Sequence, residues 1–201
     1  MICTGFDSCG RCPVCCPPSP TEAGCTCDLV EREETAGAFR AFFDLSDALV
    51  HVDNLRALAG IVDDVGGECV TVAGQPVATL APNGVWVAPI GDPGGSINYY
   101  AALAAGIEHG SAAWGDRIAY ALGYATAHEI EPDVLNLPNR DAAIAALGRA
   151  VVLPEASFAA LWTEVRGDAA AIAWRVGCTA ELVLERAREL GFAVDGTEGR
   201  P

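Results

Sequence analysis

The sequence predicts an α+β fold: a small antiparallel β-meander packed on helices, with a Cys-rich segment ahead of both. Three observations carry that expectation. Seven of the nine cysteines crowd into the first 27 residues. Three short runs rich in Val and Thr, separated by turn residues, lie between positions 68 and 91. Around them, apolar residues recur at helical spacing between Pro and Gly breaks.

Residues 1–28 form a separate segment. "CPVCCPPSP" is too rich in Pro and Cys to continue a helix or a regular strand. Residues 29–44 read as a helix with Ala36, Phe39, Phe42 and Phe43 on its apolar side. A second helix is expected from a cap at Ser46 or Asp47 through about Val65, stopped by Gly66 and Gly67. "ECVTVAG", "QPVATLAP" and "GVWVAPIG" supply the meander, and "GDPGG" at 91–95 is a loop. "INYYAALAAGIEHG" reads as helical, weakened by Gly106.

Asp116 can cap the next helix, which runs to Pro132, because proline disfavours helical geometry in the residue before it. Asn139 caps a further helix that Pro154 stops, and "EASFAALWTEVR" makes a short amphipathic one up to Gly167. The domain closes on a helix pair over 168–190, leaving a tail at 193–201. In that pair Ala173, Gly177 and Val183 have the spacing of a helix-turn-helix unit. Trp86, Trp114, Trp162 and Trp174 all sit in apolar runs and are expected in the core.

The formal net charge of −15 and the absence of lysine (all 12 basic residues are arginine) disfavour a nucleic-acid or anionic-membrane surface. The second helix of the terminal pair sets Glu181, Glu185 and Glu189 against Arg186 and Arg188, a poor match for phosphates. No apolar run reaches the ~18 residues of a membrane span. The N-terminus has no basic stretch followed by an apolar one, so the expectation is a cytoplasmic protein without a secretory signal.

In that compartment clustered cysteines point to metal rather than disulfides. Cys9, Cys12, Cys15, Cys16, Cys25 and Cys27 give C-x2-C-x2-C-C-x8-C-x-C. Pairs such as Cys12/Cys15 and Cys25/Cys27 have the donors for a tetrahedral thiolate Zn²⁺ site. An iron–sulfur cluster and a tail that binds nothing are the rival readings.

The second chemical signal is "YATAHEIEPDV" at 124–134. In a zinc peptidase helix of HExxH type, two histidines one turn apart hold the ion and the glutamate between them is the general base. Here His128 and Glu129 are present, but Pro132 stands at the second histidine position. Glu131, Asp133, Asp141 and His109 are nearby carboxylates and imidazole that could replace a ligand, and spacing does not choose among them.

The order of segments is similar to that of the ImmA/IrrE family of metallopeptidases. Arg117 leads the helix; Ala127, His128 and Glu129 match the start of the motif; Val151, Val152, Leu153 and Pro154 match a hydrophobic-proline signature; and "AWRVGCTAELVLERARELG" matches the closing segment. The resemblance covers roughly residues 48–192. It implies a zincin-like domain, regulatory proteolysis of a repressor-like protein partner in bacteria or phages, His128 as metal ligand and Glu129 as base. The family's downstream glutamate falls at Ala143, so two of three ligands are absent. The expectation is therefore a peptidase-like regulatory protein with zinc-dependent hydrolysis impaired or lost. The alternatives are a non-enzymatic protein-interaction module and a DNA-associated regulator using residues 168–190.

Overall fold

The computed structural model describes residues 26–194 apart from positions 46, 66–70, 73–74, 77–83, 92–96 and 105. Cys12, Cys15 and Cys25 lie outside the described residues, as do the other cysteines of the segment up to position 25. Helix α1 (Thr26–Phe42) begins three residues earlier than its periodicity suggests, so the backbone of Cys27 is part of it. Helix α2 (Val52–Leu58) follows, then strands β1 (Ile61–Val65), β2 (Thr71–Val72), β3 (Gln75–Pro76), β4 (Val85–Gly91) and β5 (Ile97–Leu103). Helices α3 (Ala112–Ile130), α4 (Arg140–Val152), α5 (Glu155–Glu164), α6 (Ala169–Val176) and α7 (Ala180–Glu189) complete the chain, with a 3-10 turn over Pro132–Asn136.

The mixed α+β class holds, but the sheet is not an antiparallel meander. Its order is β1–β5–β4, with β4 antiparallel to β5 and β1 parallel to it, while β2 and β3 form a separate two-residue ladder. Two segments expected to be helical are strands. Residues 61–65 leave the second helix because it ends at Leu58, and Gly60 turns the chain with φ +64° into β1. Its start is also displaced: His51 caps α2 by accepting from the Asp53 N–H.

The alanine-rich run at 97–103 is the central strand β5, paired on one side with β1 and on the other with β4. Ala101, Ala102 and Leu103 are fully buried, so packing on both faces outweighs the helix preference of alanine.

Helix α3 is the axis of the domain. Trp114, Ile118, Ala121, Leu122 and Ala125 are buried around it, and Phe158, Ile172 and Val183 join them from the later helices. Its cap is Ser111, whose hydroxyl accepts from the Trp114 N–H at 3.2 Å. Asp116, expected there, instead reaches across the fold: its carboxylate accepts from the Thr179 N–H at 2.9 Å and the Thr179 hydroxyl at 2.6 Å. Burial pushes this carboxyl above its ordinary range, against the pull of those two bonds.

The terminal pair has the turn its spacing suggests. Gly177 adopts φ +78°, and its N–H closes on the Ala173 carbonyl at 2.8 Å. Trp114 and Trp162 are buried as expected, but Trp174 is 85% exposed on the outer side of α6.

Charges also hold the helices together. The fully buried Arg186 of α7 donates to the Leu153 carbonyl at 3.0 Å and to Glu33 of α1 at 2.7 Å. Arg149 of α4 bonds Glu185 at 2.7 Å and Glu189 at 2.6 Å, so two of the three α7 glutamates are paired with a cation. Among the described residues no single helix is long and apolar enough to cross a membrane. The bent pair α4–α5 has the length and composition, but its Ile144, Leu147, Val151, Phe158 and Leu161 are buried in the domain.

Candidate functional site

The site grows from two elements that the core sets side by side. Tyr120, Tyr124 and His128 follow one another at i, i+4 and i+8 and so lie along one side of α3. Tyr99 stands on the central strand β5, opposite Ile61 of β1 and Pro89 of β4, and is only 3% exposed. Where the last turn of α3 passes this strand, the Tyr99 hydroxyl donates to Glu129 Oε1 and lies 3.1 Å from His128 Nδ1. His128 Nδ1 is also 3.4 Å from the same carboxylate oxygen.

Three rings meet beside this polar knot. Tyr99 meets His128 edge-on at 5.7 Å between centroids and Tyr124 edge-on at 6.4 Å, while Tyr124 and His128 are nearly parallel at 6.4 Å. Burial, then the hydrogen bond to Glu129, holds the Tyr99 hydroxyl far above the usual tyrosine range, so it stays a proton donor. Burial also raises Tyr124, partly offset by Arg140. The imidazole is partly open, with a side-chain exposure of 31%, and Glu129 is 39% exposed.

Beyond His128 the helix is cut short. The Glu131 N–H makes the last bond to Ala127, and Pro132 opens the 3-10 turn. A concavity of about 460 Å³ follows, lined by residues 135–142. It adjoins the aromatic row, because Asp141 on its wall accepts from the Tyr120 hydroxyl at 3.0 Å.

The residues named from sequence fall into three groups. His128 and Glu129 are brought together, with Tyr99 as a third member. The stand-in ligands are not. Asp141 is engaged by Tyr120, and Arg140 lies 3.6 Å from it. Glu131 is the C-cap of α3 and Asp133 is exposed in the turn that follows. His109 is at the opposite end of α3, its ring tilted 45° to that of Trp114 at 4.6 Å between centroids, with its Nε2 3.7 Å from Asp63. That end is about 20 Å away by the helical rise. Ala143 packs beside Ala127, Val134, Ile144 and Leu147 in a small apolar cluster.

A Zn²⁺ ion does not fit this donor set. Positions 132 and 143 carry no donor side chain, and one imidazole with one tyrosine-bound carboxylate is short of the three protein ligands a catalytic zinc needs. Among the described residues, no three His, Cys, Asp or Glu side chains are grouped to hold a metal ion. The fourfold set Cys12, Cys15, Cys25 and Cys27 remains a sequence inference.

Tyr99 is the member of this cluster that sequence reasoning missed. Its segment reads as a helix, and only the pairing of β5 with β1 and β4 brings it to α3. Tyr124, by contrast, was within reach, because it precedes His128 by one helical turn.

Fold and site define an α+β protein with a Tyr–His–Glu cluster where a buried strand meets a helix end. No protein-family model, curated protein or solved structure matches the chain.

Proposed function

We propose that the chain is a regulatory protein of the ImmA/IrrE metallopeptidase kind whose zinc-dependent peptide hydrolysis is lost, and that it works by binding a protein partner. The observation that carries this reading is the state of Glu129. In a working peptidase that carboxylate must be free to take a proton from a metal-bound water. Here it is tied to Tyr99, beside an imidazole without the other two ligands. What remains is a surface: Tyr120, Tyr124, His128 and the concavity at 135–142 offer aromatic faces with polar tips, a composition suited to protein contact. The resemblance points to a repressor-like partner, and the net charge of −15 favours a basic one. Any zinc is assigned to the N-terminal cysteines rather than to His128.

Metal analysis of the purified full-length chain tests this. We expect zinc content to fall when Cys12, Cys15, Cys25 and Cys27 are changed to Ser, and to be unaffected by His128→Ala. One equivalent of zinc lost on His128→Ala, with peptide cleavage abolished by Glu129→Gln, would overturn the reading.

A further inference from the structure

We propose that Tyr99 is a positioning residue that fixes His128 as its Nδ1–H tautomer and so keeps Nε2 as an open hydrogen-bond acceptor at the site. The inference rests on His128 being part of the contact surface proposed above, but follows from counting protons. Three polar atoms meet at one point: the Tyr99 hydroxyl, Glu129 Oε1 and His128 Nδ1. The hydroxyl has one proton, and it goes to Glu129. A carboxylate oxygen only accepts. Nδ1 therefore faces two oxygens, at 3.1 Å and 3.4 Å, neither of which has a proton left to give it.

A bare Nδ1 lone pair there would be repelled by both oxygens. A protonated Nδ1 donates to them. The relay then runs from His128 Nδ1–H to Tyr99 to Glu129, and the second ring nitrogen of the neutral imidazole carries the lone pair. Tyr99 can impose this because it is buried in the middle strand of the sheet and paired on both sides. Nε2 is on the far side of the ring from this knot, and the side chain is 31% exposed. It is suited to accept from an N–H group of a docked polypeptide.

The test is the tautomeric state of His128 in the full-length chain, read from the ring-nitrogen shifts of ¹⁵N-histidine-labelled protein above the imidazole titration. The chain has 3 histidines, so His128→Gln identifies the signals by their loss. We expect a pyrrole-like Nδ1 and a pyridine-like Nε2. In Glu129→Met the Tyr99 proton loses its carboxylate acceptor and turns to Nδ1, so the tautomer inverts to Nε2–H. In the double variant Tyr99→Phe/Glu129→Met, the imidazole returns to the mixture of a free histidine. An Nε2–H ring in the unaltered protein, or an Nδ1–H ring that survives Glu129→Met, would overturn the proposal. The zinc measurement is independent of this readout, so either conclusion can fail without the other.

Discussion

Gly123 of α3 and Gly148 of α4 touch backbone to backbone: a Cβ placed on Gly123 would fall 2.7 Å from the Gly148 nitrogen and 2.0 Å from the Ile144 carbonyl oxygen. On Gly148 it would fall 2.0 Å from the Ala119 carbonyl oxygen. This contact sets the depth at which α4 lies against the helix that ends in His128 and Glu129, and it brings Ile144 and Leu147 onto Ala127. Replacing either glycine by alanine forces the two backbones apart. We expect Gly148→Ala to cost at least about 2 kcal/mol in urea unfolding. Gly37→Ala in α1 is the control: nothing lies within 4 Å of its added methyl, and the helix preference of alanine should stabilise the protein by about 0.5–1 kcal/mol.

Arg186 and Arg175 separate a buried ion pair from a surface one. Arg186 is fully buried between the Leu153 carbonyl and Glu33, so Arg186→Met leaves both acceptors without their donor. We expect about 3–5 kcal/mol lost in chemical denaturation. Arg175 lies 3.3 Å from Glu164 with both side chains about half exposed or more, and Arg175→Ala should cost under about 1 kcal/mol.

Stability should also fall steeply in alkali. Burial, with a smaller push from Asp116, raises the Cys178 thiol from its ordinary 9.0 to about 12. Above 9.0 the unfolded thiol gives up its proton while the folded one keeps it, so the folded state binds more protons and stability drops as pH rises towards 12. Below 9.0 the contribution is present in full. Thermal unfolding at pH 8 and pH 10.5 should show a smaller drop for Cys178→Ala than for the unaltered chain. Tyr99 and Tyr124, both raised in the same direction, add to the slope that remains.

The terminal helix pair should not retain DNA. Of the two arginines on α7, Arg186 is buried against Glu33 and only Arg188 is exposed, while Glu181 at the first turn faces solvent. We expect no mobility shift of duplex DNA even at low salt, where phosphate contacts are strongest. A shift that weakens on adding salt and is lost in Arg188→Ala would restore the DNA-associated reading.

Much of the helical framework was legible because its signals are local. Pro132 ends α3, Asp168 and Thr179 cap α6 and α7 through the Ala171 and Leu182 N–H groups, and Gly177 turns between them. Each depends on the chemistry of one residue and its near neighbours. The misreadings share a different cause. Residues 61–65 and 97–103 are strands only because they pair with each other across more than thirty residues of chain, and no local preference records that pairing. Asp116 looked like a cap for its own helix, yet its acceptor oxygens are spent on Thr179, 63 residues away. Trp174 has the apolar neighbours of a core residue, but points outward because Ile172, Ala173 and Val176 take the inner side of a two-turn helix.

The sequence by itself determined that His128 and Glu129 sit together at a helix end, that positions 132 and 143 are occupied by Pro and Ala, which offer no donor side chain, and that the chain is strongly acidic. These are matters of residue identity and short-range spacing. Only the tertiary structure decided what Glu129 does with its carboxylate, because its partner comes from the middle of a sheet whose strands meet through non-local hydrogen bonds. Residue types fix which bonds a side chain can make. Which of them it does make depends on the groups that chain folding brings within about 3 Å.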